Sequence, residues 1–174
     1  MQGSAQEEIS TGHYTIAIQP IVNVQLQHVA DELLYRGDMT ANSAAVSDDV
    51  QATARACAVA IYEIGLDKLC GQRKLFINAS GDWLLNPDLS GLPTDQIVIE
   101  VLEDTQASGP LLEALRQLKA QGYTLALDDF EPHTSNSPLL NMADIIKFDI
   151  STGLPTALIQ RLYQAGYTHG GCRL

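Results

Sequence analysis

Polar side chains close a series of apolar runs at one recurring place. Glu32 stands in "HVADELLYR", Asn78 ends "KLFIN", and Glu100 stands near the end of "IVIEV". Asp128 and Asp129 end "LALDD", and Lys147 and Asp149 lie in "IIKFD". Oxygen-only ligands of this kind suit Mg²⁺, Mn²⁺ or Ca²⁺ rather than zinc. Carboxylates held close together repel one another unless a cation or protons neutralise them. Arg36 follows Glu32 by four residues, on the same face of a strand, and could grip a ligand phosphate with two parallel hydrogen bonds. Lys147 supplies a second positive group. Metal, Arg and Lys around carboxylates are the groups that phosphodiester chemistry requires. One acidic residue at a strand end is more often a helix cap or a solvated loop residue; recurrence at the same end of successive strands is what carries the reading. His13, His28, His133 and His169 have no metal-ligand spacing and read as surface residues. Trp83, with Leu84 and Leu85, reads as a packing anchor. No Ser sits in a Gly-flanked elbow and no Cys is patterned with a His, so a nucleophilic enzyme finds no support.

The elements that must position these groups follow from periodicity and punctuation. "YTIAIQPIVNV" and "QHVADELLYRG", joined by a polar turn, predict a β-hairpin, with Pro20 marking an edge or a bulge. "SDDVQATARACAVAIYEIG" predicts a helix capped by Ser47 and ended by Gly65. The strand "KLFINAS" leads into a short helical or irregular connection, "GDWLLNPDLSGLP", and then the strand "DQIVIEVLED". A helix over "SGPLLEALRQLKAQG" opens at Ser108 and Pro110 and closes at Gly122. "YTLALDD" and "ADIIKFDIS" are strands, "LPTALIQRLYQAG" is a helix, and "YTHGGCRL" begins one more strand. Strands alternating with helices imply parallel strands and right-handed crossovers. Near-continuous apolar runs mark strands covered on both faces. An α/β barrel gathers polar strand ends at one mouth, which favours it here. A doubly wound open sheet is second, because no Gly-rich phosphate loop follows the first strand.

Composition bounds the partners. The chain has 174 residues, a net charge of -11 and 45% hydrophobic residues, enough for one domain with a core. Such an acidic surface repels phosphate backbones, which excludes nucleic acid as an expected partner. Cys57, Cys70 and Cys172 form neither a disulfide framework nor a zinc site, as expected of a reducing cytoplasm. No apolar run approaches the roughly 18 residues of a membrane span, so no membrane partner is expected. Residues 1–14 read as a disordered tail or a cloning remnant, and 15–174 as the folded domain.

The motifs "QPIV", "ELLYR", "FINAS", "IVIEVLED", "LALDDF" and "IIKFD" resemble, in order and spacing, those of the EAL domain, the bacterial cyclic di-GMP phosphodiesterase family. "ELLYRG", "VIEVLED" and "DDF" followed by an acidic, Pro-containing loop look most like the branch in which an EAL-like domain precedes an HDOD domain, many of whose members are non-catalytic. The resemblance spans Ile16 to Leu174 and implies a TIM-barrel-like fold with an N-terminal β-hairpin, incomplete at its C-terminal end. It implies metal ligation by Glu32, Asn78, Glu100 and Asp128. It implies that Asp129 helps to bind metal and orient the attacking water, and that Lys147 supports water and phosphate. Gln19 and Arg36 match positions that touch the dinucleotide. In the family, metal-activated water opens cyclic di-GMP to linear pGpG.

Three departures stand out. Leu33 replaces the Ala of the signature, and Glu131-Pro132-His133 replaces Gly-Thr-Gly after Phe130. The chain also ends at Leu174, where the family continues to a further strand bearing another metal-binding Glu. A Glu and a Pro cannot reproduce a glycine's close backbone approach or positive φ. The expected function is therefore a non-catalytic regulatory or protein-interaction module in cyclic di-GMP signalling, binding Mg²⁺ or Mn²⁺ weakly or not at all. The alternatives are a metal-dependent phosphodiesterase and a receptor that binds cyclic di-GMP without cleaving it. An unclosed barrel would leave bare edges near Thr15–Val22 and Tyr167–Leu174, so a homo-oligomer or a protein partner is expected as well.

Overall fold

The structure is a computed structural model that describes residues 15–23, 25–36, 61–87, 89, 91–102, 104–129, 137–148 and 172–173. Strand β1 (Thr15–Val22) pairs antiparallel with β2 (His28–Arg36). The turn between them is built by Asn23, whose Oδ1 accepts from the backbone N–H groups of Gln25 and Gln27, both at 3.0 Å. An Asn side chain that imitates a backbone acceptor is a standard turn device. Pro20 lies inside β1 opposite Asp31, and the expected irregularity follows at once as a register shift between Ile21 and Val22.

Four strands then run parallel to β2: β3 (Lys74–Ala79), β4 (Ile97–Val101), β5 (Thr124–Leu127) and β6 (Ile145–Ile146). The short β7 (Cys172–Arg173) pairs antiparallel with β1 and completes a seven-stranded sheet of order β6-β5-β4-β3-β2-β1-β7. From β2 to β6 the strands follow chain order with no reversal. A doubly wound sheet needs a reversal at its switch point, so the barrel-wall expectation holds and the open-sheet alternative does not. The expectation of a bare β1 edge is corrected in part: Ile21 and Val22 carry β7 as a partner.

Helical segments α1 (residues 61–64), α2 (Leu66–Leu69), α3 (Gly81–Leu85), α4 (Gly109–Ala120) and α5 (Ser137–Leu140) accompany the strands. Ser80 and Ser108 cap α3 and α4, their Oγ atoms accepting from the N–H groups of Trp83 at 3.2 Å and Leu111 at 3.3 Å. The expected helix from Ser47 is described only over residues 61–64, and the one over 154–166 lies outside the described residues. Neither α2 nor α5 was expected, and β6 is far shorter than "ADIIKFDIS" suggests.

The sheet has two unlike faces. On one, Leu33, Leu75, Ile77, Ile97, Ile99, Leu125 and Leu127 are buried with Leu111, Leu115 and Leu118 of α4, whose spacing puts them on one helical stripe. The other face carries a smaller apolar layer of Ala30, Phe76, Val98 and Ala126, with Ile21 and Ile145 packed against it. Among the described residues no helix is long and apolar enough to cross a membrane.

Candidate functional site

The second face positions the polar residues. Side chains alternate across a strand, so the residue two beyond each member of the Ala30–Phe76–Val98–Ala126–Ile145 layer points the same way. Those residues are Glu32, Asn78, Glu100, Asp128 and Lys147. The ladders fix their height: Glu32 pairs with Phe76, Asn78 with Glu100, and Glu100 with Ala126, which places Asp128 one pleat further on. Lys147 is held beside them by its backbone N–H, which donates to the carbonyl of Leu127 at 2.8 Å. All five thus stand above one small apolar floor, at the C-terminal ends of parallel strands.

Their side chains meet at Lys147. Its ammonium lies 3.3 Å from Glu32 Oε2 and 2.7 Å from Asp128 Oδ1, and it also contacts Glu100 Oε1. Asn78 Nδ2 donates to Glu32 Oε1 at 3.3 Å. Glu32 and Glu100 are essentially closed to solvent, at 1% and 0%. Two buried acceptors, Asn78 Oδ1 and Glu100 Oε2, have no hydrogen-bond partner among the described residues.

The charge balance is uneven, with one ammonium facing three carboxylates. Burial raises the pKa of Glu100, and Glu32 and Asp128 add to the rise; Lys147 opposes it, and the result is a value of about 7. Burial acts to lower Lys147, but the attraction of Glu100, Asp128 and Glu32 outweighs it and holds the ammonium above its ordinary range. At neutral pH the pocket therefore holds a charged Lys147 and a Glu100 that shares its time between acid and carboxylate.

The remaining expected site residues are less engaged. Asp129 follows Asp128 with φ of 38°, a left-handed backbone that Asp tolerates better than most residues, and no hydrogen bond or ion pair joins it to the cluster among the described residues. Gln19 pairs with Glu32 across the hairpin and shares its face of the sheet. Arg36 is the last residue of β2, opposite Thr15, and its side chain lies outside the described residues. So does the loop with Glu131, Pro132 and His133. Among the described residues no three Asp, Glu, His or Cys side chains are gathered to hold a metal ion. Glu32, Glu100 and Asp128 are wrapped around Lys147 instead. Their all-oxygen donor set and the two orphaned oxygens nonetheless have the chemistry of a hard divalent cation's ligands.

A second buried polar group went unforeseen. Asp31, 1% exposed, accepts from Arg73 Nε at 2.7 Å and pairs with His28 Nε2 at 2.7 Å. His28 is exposed, as expected of a surface residue, and its ring is nonetheless held by Asp31. Asp31 precedes Glu32 and so faces the opposite side of the sheet, where the pair locks β2 to the start of β3. A charge flanking Glu32 within an apolar strand was the signal in the sequence.

A scan against protein-family models finds no match. Two curated proteins are similar. YuxH of Bacillus subtilis, itself uncharacterized, is 36% identical over 77% of this chain and 34% of its own length. CdgJ of Vibrio cholerae, a cyclic di-GMP phosphodiesterase, is 33% identical over 78% of this chain and 31% of its own length. The chain spans about a third of the length of these relatives. Among solved structures, BlrP1 of Klebsiella pneumoniae in complex with calcium and cyclic di-GMP matches 89% of this chain and 48% of its own, with a TM-score of 0.64 at 24% identity. The EAL-domain protein YkuI of Bacillus subtilis, in complex with cyclic di-GMP and calcium, matches 89% of this chain and 47% of its own, with a TM-score of 0.66 at 15% identity. The fold is that of EAL-domain structures, α/β and TIM-barrel-like.

Proposed function

We propose that this chain is an EAL-type module of bacterial cyclic di-GMP signalling that acts as a non-catalytic regulatory or protein-interaction domain. The observation that carries the non-catalytic part is Lys147 in contact with Glu32, Glu100 and Asp128 at once. The pocket supplies its own cation, so its carboxylates are retained as a structural ion-pair network and do not by themselves imply turnover. The loop after Asp128-Asp129 supports the same reading, because Glu131-Pro132 stands where the resemblance puts Gly-Thr-Gly. Similarity to CdgJ and the likeness to cyclic di-GMP complexes support the signalling context. The module works through a protein partner or a second copy of itself, and through the cytoplasm where that nucleotide signals.

Calorimetry with cyclic di-GMP, with and without Mg²⁺ or Mn²⁺, tests the assignment. Neither heat of binding nor pGpG supports a pure interaction module; binding without pGpG makes the chain a receptor; metal-dependent pGpG contradicts the proposal.

A second reading has its own observation. Asn78 Oδ1 and Glu100 Oε2 are buried acceptors with no hydrogen-bond partner among the described residues, which suits a metal-dependent phosphodiesterase. In it Glu32, Asn78, Glu100 and Asp128 would hold Mg²⁺ or Mn²⁺. The ion would supply Lewis acidity and an activated water. Gln19 and Arg36 would bind the dinucleotide, while Asp129 and Lys147 would orient water and phosphate. We expect divalent binding at this set to be weak. Low-micromolar Mn²⁺ affinity left unchanged by Glu32→Ala would remove the site.

A further inference from the structure

The ammonium of Lys147 has three protons to donate, and three carboxylates surround it. Its hydrogen-bonding capacity is spent on Glu32, Glu100 and Asp128. Yet Asn78 Oδ1 and Glu100 Oε2 are left without hydrogen-bond partners among the described residues, and Glu100 is fully buried. An ammonium is one charge with three directed donors. A divalent cation carries twice the charge and takes about six to eight oxygens without directional demand. The pocket therefore offers more oxygen than a lysine can use. Three carboxylates against one ammonium also leave it with more negative charge than Lys147 neutralises.

We propose that Lys147 is a built-in competitor for the divalent-cation site: it occupies the place among Glu32, Glu100 and Asp128 that the ion would take, and an ion enters only as the ammonium withdraws. Side-chain geometry permits this exchange. Lysine is a point charge on a flexible four-carbon stem, and Lys147 retains 16% side-chain exposure while Glu32 and Glu100 have almost none. Asp128 is 15% exposed, so the fixed partners are Glu32 and Glu100, and the flexible lysine stem is what moves off them. Two exclusive states follow, lysine-in and ion-in, with metal affinity set by the difference between them. An ammonium left in contact with the three carboxylates, within about 4 Å of a divalent ion, would repel it strongly, so Lys147 must draw back from them as the ion enters.

This inference rests on the cation site of the second reading and not on nucleotide binding. All measurements are made without cyclic di-GMP, so a failure to bind the nucleotide counts against the proposed function and leaves this proposal untouched. Lys147→Gln should bind Mn²⁺ at least about tenfold more tightly than wild type, by calorimetry or by the loss of the free-ion paramagnetic resonance signal. Lys147→Arg, which keeps the charge, should bind no more tightly than wild type. Equal or weaker binding by Lys147→Gln, including no binding by either protein, overturns the proposal.

If Lys147→Gln does not fold, the wild-type chain decides alone. It contains four lysines, Lys68, Lys74, Lys119 and Lys147, so lysine-selective ¹⁵N spectra of the ammonium groups are simple to read. The Lys147 resonance is identified by its absence from Lys147→Arg. Ca²⁺ at millimolar concentration should move that resonance alone towards the position of the solvated lysines. Four unmoved resonances up to tens of millimolar Ca²⁺ contradict the exchange.

Discussion

Glu100 is the residue at which the pocket's charge imbalance becomes measurable. Its carboxyl titrates near pH 7 in the folded chain against a reference of 4.5. The folded state therefore keeps a proton that the unfolded chain has already released, and stability from this group is full below about pH 4.5 and lost as pH rises through about 7. In chelator-treated protein, chemical denaturation at pH 5 and pH 7.5 should show a fall of about 2 kcal/mol beyond that of Glu100→Gln, which has no such proton. Equal pH slopes in the two proteins would contradict the assignment. Asp31 makes a different prediction. Asp31→Ala leaves Arg73 and His28 half-exposed and able to resolvate, so the cost falls below that of a fully buried pair, at about 2 kcal/mol in urea unfolding. Glu32, Asn78, Glu100 and Asp128 were legible as one constellation because strand alternation fixes their face. The placement of Lys147 within contact of all three carboxylates was not, since it depends on how a long side chain folds back across three strands.

At the scale of elements, the strands were legible because buried parallel strands leave near-continuous apolar runs, and α4 because it combines a cap, a stripe and a stop. Ser108 and Gly122 are that cap and stop. Ser108→Ala should cost about 1 kcal/mol in thermal or urea unfolding, with the fold retained. Gly122 has φ of 100°, and a Cβ there would meet Thr94 Oγ1 at 3.3 Å. Gly122→Ala should therefore cost about 1–3 kcal/mol through strain; a change below a few tenths would show that the turn relaxes freely. The short α2 and α5 escaped notice because a four-residue turn presents less than one period of apolar spacing. Only Ile145 and Ile146 of "ADIIKFDIS" form β6, although Asp144 and Lys147 still donate their backbone N–H groups to the carbonyls of Leu125 and Leu127. Periodicity cannot locate where such a ladder ends.

Across the whole molecule, a wall of parallel strands begins with an antiparallel hairpin, and β7 joins that hairpin from its far side. Among the described residues, β6 has β5 as its only strand partner, β7 reaches no further along β1 than Ile21, and Ile18 and Val29 remain exposed. Unpaired strand edges with apolar side chains recruit other chains. Light scattering on dilute protein is expected to report a dimer or larger species, and a monodisperse monomer of the chain's 18.8 kDa that binds no hydrophobic dye would contradict that expectation. The barrel-like fold was legible from element order alone. Which chemistry it retains was not, because that depends on whether a cation or Lys147 occupies the strand-end pocket. The most direct test is chromatography of cyclic di-GMP incubated with micromolar protein and Mg²⁺ or Mn²⁺. Unchanged cyclic di-GMP is the predicted result, since about 1 Å of misplacement between water and phosphate costs about a hundredfold in rate. Metal-dependent accumulation of pGpG, abolished by Glu32→Ala, would contradict it.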